Sequence, residues 1–276
     1  MLNLPPHHQI VLDRFVIACQ KDDRVAAAFL GGSYARGAAD KYSDLDLYLI
    51  TTDDAYETFL TERDSLVRQL GETLFFEDFG IPYVVFFILA NGTEGELCIG
   101  RESRFHHIHA GPFLPLLDKK GILAGAVFSG EEIEHSQQVE TLRHQIDCFW
   151  HDLAHFIKAM GRRQLWFAYG ELELLRGMCV NLARLNHNIS DGEAGDEPYF
   201  KVEGVLPVEQ LAPLQTTYCP MEYEAMRRAA NVIFDFYRKI APPLVERYGL
   251  SYQPDLEAMM GGLLDSLDEP VQDQSD

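Results

Sequence analysis

A glycine-rich turn and a pair of aspartates lie close together in the N-terminal part of the sequence. The turn is Gly31-Gly32-Ser33, and Asp44 and Asp46 open a stretch of alternating polar and apolar residues. Alternation with a period of two is typical of a strand, so the two carboxylates share one face. Two neighbouring carboxylates ionise together most readily around a cation, and Mg²⁺ prefers oxygen ligands. The pair therefore predicts a magnesium site.

The turn itself predicts a phosphate site beside that metal. Glycine lets the backbone approach a phosphate closely, and Gly31 and Gly32 end a short apolar strand. Ser33 suits the N-cap of a short helix, where its hydroxyl and the first N–H groups would meet an anion. Arg36 is a further phosphate ligand, or else an ion-pair partner of a nearby aspartate.

A third carboxylate, Glu96, is predicted to join the aspartates. Asn91-Gly92 is a strong hairpin signal, so the strand that Glu96 opens should return beside its neighbours. Three carboxylates, Mg²⁺ and a nucleoside triphosphate suit in-line nucleotidyl transfer, in which metal neutralises the leaving pyrophosphate. Glu96 would either ligate metal or accept the proton of the attacking hydroxyl.

The alternative is an ordinary turn followed by a solvated strand face. A lone Asp-x-Asp or a lone Gly-Gly-Ser is usually no more than that. The order of strand, glycine turn and second strand favours the metal and phosphate interpretation. Neither a Walker P-loop nor a Gly-x-Ser-x-Gly elbow is present, which argues against the commonest NTPases and hydrolases.

The stretch GGSYARGAADKYSDLDLYL resembles the signature of the DNA polymerase beta nucleotidyltransferase superfamily. That signature is a Gly-Ser followed by an Asp-x-Asp at the start of a strand. The chain length and the helical second half also resemble the antibiotic nucleotidyltransferases that act on aminoglycosides or lincosamides. This second resemblance is carried by RRQLWFAYGELELLRGMCVNLARL, MEYEAMRRAANVIFDFYRKIAP and SYQPDLEAMMGGLL.

The resemblance implies a role for each matching position. Gly32 and Ser33 would contact the triphosphate, Asp44 and Asp46 would bind metal, and Glu96 would be the third carboxylate, where aspartate is common. The implied reaction is Mg²⁺-dependent transfer of AMP from ATP to a hydroxyl of a small molecule, as in antibiotic resistance. Two rivals stay open: a same-fold enzyme that adenylylates a macromolecule, such as an antitoxin or a tRNA-modifying enzyme, and a non-catalytic nucleotide-binding regulator.

Hydrophobic periodicity predicts an α+β protein with two domains and a tail. The N-terminal domain, residues 1–130, is expected to be a nucleotidyltransferase domain with a mixed β-sheet and flanking helices. Residues 131–267 are expected to form an all-helical substrate-binding domain, and residues 268–276 a disordered acidic tail. Strands are expected at 25–30, 44–50, 73–76, 83–89 and 96–99, and the larger helices at 8–20, 52–69, 131–160, 162–188, 207–214, 221–248 and 255–267.

The helical half offers two site candidates. Lys158, with Arg162 and Arg163, would hold the triphosphate, or would only complement a helix dipole. Glu171 is a reserve general base or a substrate-binding residue, although a solvated or capping glutamate is the more common case. Asp191, Glu193 and Glu197 could add carboxylates for a cationic acceptor.

Histidines and aromatic residues elsewhere favour structural roles. His106, His107 and His109 lack the partners of a zinc site and are expected on a surface loop. Phe149, Trp150, Trp166 and Phe167 are expected in the core, although one aromatic ring at the cleft would suit an adenine or a drug.

The charge of the chain limits its partners. It has 43 acidic and 23 basic residues, a formal net charge of −20. So negative a surface repels a phosphate backbone, which argues against long nucleic acid. The same field would attract a cationic acceptor such as an aminoglycoside, although acidity also serves solubility alone. No membrane span or secretory signal is recognised, so a cytoplasmic location is expected. The oligomeric state and the identity of the acceptor stay open.

Overall fold

A computed structural model describes residues 4–128, 135–187 and 197–268. The chain forms two compact units, Met1–Glu132 and Ile133–Asp276. The first combines a sheet with helices and the second is helical, which confirms the predicted α+β class. The predicted domain boundary at residue 130 lies outside the described residues. So does the predicted tail, except that Asp268 ends a short 3₁₀ helix, Ser266–Asp268.

The first unit is built on a six-stranded mixed sheet. The strand order is β3-β4-β5-β2-β1-β6, and every neighbouring pair is antiparallel except β2 and β5. The strands are β1 Val25–Leu30, β2 Leu45–Thr51, β3 Thr73–Glu77, β4 Val84–Leu89, β5 Glu94–Arg101 and β6 Leu114–Asp118. The helices are α1 Pro6–Lys21, α2 Gly32–Ala35 and α3 Tyr56–Leu70, with a 3₁₀ helix at Glu102–His107.

The two faces of the sheet differ as the alternation of β2 predicts. Leu45, Leu47 and Leu49 are fully buried in a core with residues of α1 and α3. Asp46 and Tyr48 alternate with them and are only partly buried. Burial of the leucines therefore fixes the register of β2 and directs its polar residues to the opposite face.

Strand β6 was not expected from the sequence. It pairs with β1 at the edge of the sheet and contains Pro115. Because proline has no N–H to donate, it is confined mostly to edge strands and weakens a strand pattern. The other five strands and the hairpin at Asn91-Gly92 confirm the predictions, with shifts of at most two residues at the ends.

The second unit consists of helices around one apolar core. They are α4 His135–Gly161, α5 Leu165–Asn186, α6 Val202–Val205, α7 Val208–Gln215, α8 Tyr223–Arg247 and α9 Pro254–Asp265. Five of them match predicted helices, and the four-residue α6 was not expected. Within the described parts of the chain, no helix is both long and apolar enough to cross a lipid bilayer.

Candidate active site

The glycine turn is fastened directly to the strand that carries the aspartates. The backbone N–H of Gly31 donates to the carbonyl oxygen of Asp46 at 2.9 Å. Gly32 has a φ of +56°, in the left-handed region that favours glycine. A Cβ atom at Gly32 would lie 1.6 Å from Asp46 Oδ2. The Asp46 carboxylate therefore occupies the space that any side chain at position 32 would need.

The helix after the turn is held against α1. Gly31 stands at the N-cap position of α2, and no side chain caps the helix, so the expected N-cap role of Ser33 is wrong. The reason is that α2 begins at Gly32, one residue earlier than expected. The Tyr34 hydroxyl lies 2.7 Å from His8 Nδ1, in a buried contact. The turn is thus anchored both to β2 and to α1.

Ser33 still has a feature that points to a ligand. Its hydroxyl oxygen is buried and has no hydrogen-bond partner among the described residues. A buried hydroxyl without a partner costs about 1–3 kcal/mol, so such groups are uncommon in folded proteins. An anion at the turn would provide the missing partner.

Glu96 lies beside Asp46 on the neighbouring strand. In the parallel pairing of β2 and β5, Asp46 is matched with Glu96, and matched residues of neighbouring strands share a face. Asp44 lies just before β2. Partial desolvation and then the negative charge of Asp44 raise the pKa of Glu96, although its side chain is exposed. The structure thus brings together the glycine turn and the three predicted carboxylate positions.

These carboxylates do not form a ready-made metal cluster. Across the described ranges, no group of three or more His, Cys, Asp or Glu side chains is placed to hold a metal ion. Mg²⁺ commonly needs only one or two protein carboxylates, because water and substrate phosphates supply its other ligands. Asp44 and Asp46 next to a phosphate-type turn fit that smaller requirement, and the third ligand role of Glu96 stays a prediction.

A pocket of about 210 Å³ adjoins the carboxylates. Its lining comes from β2, from β4 and the residue before it, from β5 and from the segment after β5: Asp46, Leu47, Tyr48, Tyr83, Val84, Glu96, Cys98, His107 and Ile108. Burial, followed by the charges of Cys98, Asp46 and Glu96, raises the pKa of Tyr48, whereas the charge of Arg36 acts in the opposite direction. The predicted phosphate ligand Arg36 is therefore near enough to act electrostatically on the face that carries Asp46.

The three basic residues predicted to hold the triphosphate, Lys158, Arg162 and Arg163, lie in the last turn of α4 or directly after it. Lys158 is exposed in the last turn of the helix, where it complements the helix dipole. The Arg163 guanidinium stacks over the Tyr223 ring at 3.7 Å, which is a contact within this unit. A triphosphate contact by Lys158 stays a prediction.

Glu171 differs from the expected solvated or capping residue. It is only 6% exposed, its Oε1 lies 3.9 Å from His155 Nδ1, and its Oε2 has no partner among the described residues. Burial and then the charge of Asp152 raise its pKa. The expectation followed the residue type, because glutamate is usually exposed, although Glu171 shares a face of α5 with the buried residues Ala168 and Leu175. Of the other proposed carboxylates, Glu197 is exposed, and Asp191 and Glu193 lie outside the described residues.

Two expectations about histidines and aromatic residues are partly wrong. His106 and His107 are exposed, but His109 is buried. Phe149 and Trp150 belong to the core of the second unit, whereas Trp166 is 84% exposed. Phe167 is 52% exposed. At the start of α5, these two rings lie on the exposed side of the helix, together with Leu174.

Some residues around the turn were not recognised from the sequence. Tyr34 and His8 anchor α2, and Tyr48 and His109 pack against Gly31. Only Tyr48 had a signal, because alternation placed it on the face of Asp46. The others act through contacts between residues that are distant in the chain.

Comparison with known proteins identifies the family of this chain. No curated protein matches the chain. The crystal structure of an aminoglycoside 6-adenyltransferase from Bacillus subtilis matches with a TM-score of 0.44 and 15% identity, over 96% of this chain and 99% of that one. The model of the family described as streptomycin adenylyltransferase matches residues 7–265, nearly the whole length. On that match, the protein belongs to the streptomycin adenylyltransferase family.

Proposed function

We propose that this protein transfers AMP from ATP to a hydroxyl of an aminoglycoside. The observation that carries the proposal is the packing of the Asp46 carboxylate onto Gly32, with Glu96 matched beside it. A phosphate-type turn and acidic groups for a nucleotide-bound cation thereby meet in one place. The family supports adenylyl transfer and an antibiotic acceptor. A cytoplasmic location, where ATP is available, is part of the proposal.

The donor would bind at the glycine turn. Backbone N–H groups of the turn, the buried Ser33 hydroxyl and Arg36 are the groups that would meet the triphosphate. Asp44 and Asp46 are the residues that would hold Mg²⁺. The metal, when bound, would neutralise charge on the triphosphate and on the departing pyrophosphate.

The acceptor would bind on the side of Glu96. In an in-line displacement the attacking oxygen and the leaving pyrophosphate lie on opposite sides of the α-phosphorus. The acceptor oxygen forms a bond to the α-phosphorus, the bond to the bridging oxygen of pyrophosphate breaks, and Glu96 accepts the hydroxyl proton. Partial desolvation is the first cause of the raised pKa of Glu96, and it favours the acceptance of a proton.

The charge of the chain supports the choice of acceptor. Aminoglycosides carry several ammonium groups, and the net charge of −20 attracts cations over the surface. The same charge disfavours RNA, whose binding requires clustered basic residues. Lincosamides carry fewer cationic groups and gain less from this field.

The test compares two acid-to-amide variants. Asp46→Asn removes a proposed metal ligand, whereas Asp54→Asn makes the same change at an exposed residue of the same unit. Pyrophosphate release is measured with ATP, Mg²⁺ and a panel of aminoglycosides, lincosamides and cellular RNA. We expect release with an aminoglycoside, lost at least about a hundredfold in Asp46→Asn and unchanged in Asp54→Asn. Equal activity of the two variants would remove the assigned site, and release with RNA alone would refute the acceptor.

A further inference from the structure

His109 is buried in an aromatic cluster beneath the glycine turn. Its ring centre lies 4.8 Å from that of Tyr48, 5.6 Å from that of Phe29 and 5.5 Å from that of Phe128. The residue is 8% exposed. The FHHIHAG stretch therefore contains one histidine with surroundings unlike those of its two exposed neighbours.

Two rings of this cluster press against the backbone of Gly31. A Cβ atom at Gly31 would lie 2.6 Å from Tyr48 Cε2 and 3.0 Å from His109 Cε1. Any side chain at this position would push the rings away. The N–H of Gly31 is bonded to Asp46 at the same time. The first residue of the turn is thus held between a strand hydrogen bond and two packed rings.

The orientation of the His109 ring is set by a hydrogen bond. Its Nε2 lies 2.9 Å from the carbonyl oxygen of Pro112, and since a carbonyl only accepts, Nε2 donates the proton. Burial lowers the pKa of His109, which favours the neutral ring. This bond ties the ring to the backbone after the 3₁₀ helix, so the ring cannot rotate without losing the hydrogen bond.

We propose that His109 is a positioning residue, which fixes the Gly31 backbone and thereby aims the following N–H groups and the Ser33 hydroxyl at the triphosphate. The proposal rests on the proposed function for the identity of the ligand. It does not place His109 in contact with ATP. Its effect passes through Gly31, so it should alter nucleotide binding more than acceptor binding.

The test compares His109→Ala with Phe128→Leu. Phe128 belongs to the same cluster and is 4% exposed, but it is not among the three nearest neighbours of a Gly31 Cβ. Both variants should lower the melting temperature, because both leave space in the cluster. Only His109→Ala should raise KM for ATP, by roughly tenfold, with KM for the aminoglycoside changed less than about twofold. His109→Phe keeps a ring without the hydrogen bond and should fall between wild type and His109→Ala.

Hydrogen exchange of the peptide that spans residues 30–37 gives a readout independent of activity. Exchange should be faster in His109→Ala than in Phe128→Leu. If the wild type transfers AMP and the two variants share the same KM for ATP and the same exchange rate, the role of His109 is overturned and the function stands. If the wild type neither binds ATP nor transfers AMP, the proposed function fails. The exchange rates then still test His109: faster exchange in His109→Ala than in Phe128→Leu supports its role in fixing the turn, and equal rates overturn it.

Discussion

Replacement of Gly32 by alanine tests the contact between the turn and the Asp46 carboxylate. The new Cβ would lie 1.6 Å from Asp46 Oδ2, whereas Cβ contacts below 3.0 Å are essentially never observed. The carboxylate, the turn or both must therefore move, so that the two atoms separate by at least about 1.4 Å more. Because Asp46 is a side chain that can rotate, we expect it to move, and the fold to survive.

The size of the effect follows from two separate costs. An alanine with φ near +56° carries a backbone cost of about 1–2 kcal/mol, which lowers stability. A displacement of about 1 Å in a reacting group reduces rate by on the order of a hundredfold. We therefore expect Gly32→Ala to lose about two orders of magnitude in kcat/KM, while the melting temperature falls by only several degrees.

Gly37→Ala is the matched control for this prediction. Gly37 follows α2 with a φ of +68°, and a Cβ there would meet nothing within 4 Å. It carries the same backbone cost without a contact to Asp46. Steady-state pyrophosphate release and thermal melting are measured for both variants. If Gly32→Ala keeps the activity of Gly37→Ala, the contact does not position Asp46 for catalysis and the reasoning is refuted.

Three further predictions concern stability. Arg176 is 1% exposed and donates two hydrogen bonds to Thr217, so Arg176→Leu should lower the free energy of unfolding, measured with denaturant, by about 3 kcal/mol. The control Arg143→Leu, at an exposed residue, should lower it by under about 1 kcal/mol, and similar losses in the two variants would contradict the prediction. His8 is buried and its pKa is lowered chiefly by burial, so the folded state binds fewer protons, and stability falls as pH drops below about 6.5. His8→Gln should reduce that drop in melting temperature, and an unchanged drop would exclude His8 as its source. Gly95→Ala would place a Cβ 2.8 Å from a backbone carbonyl of β2 and should cost about 1–3 kcal/mol, and a neutral effect would show that β2 and β5 separate easily.

The alternating pattern from Leu45 to Leu49 was enough to predict which of these residues are buried. Leu45 and Leu47 lie in the core, and Asp46 lies on the other face with Glu96 matched beside it. Local signals also predicted the hairpin at Asn91-Gly92, because turn chemistry and strand period act over a few residues. These features are set within short stretches of chain, so sequence reasoning could recover them.

The remaining features depend on contacts between distant residues. Nothing near Gly32 in the sequence indicates that Asp46 fills its side-chain space, and the pattern around His109 resembles an exposed loop until Phe29 and Tyr48 pack on it. Glu171 is a charged residue type that is usually exposed, but the helices packed around it bury it. Strand β6 was missed because proline weakens its local signal while pairing with β1 supplies its hydrogen bonds.

The most direct test follows the label of ATP into the product. The wild-type protein is incubated with an aminoglycoside, Mg²⁺ and ATP labelled at either the α- or the γ-phosphate, and the antibiotic is then separated and counted. Adenylyl transfer predicts that α-label enters the antibiotic and that γ-label leaves as pyrophosphate. Label from the γ-phosphate in the antibiotic, or no label from either position while ATP is bound, would contradict the proposed reaction.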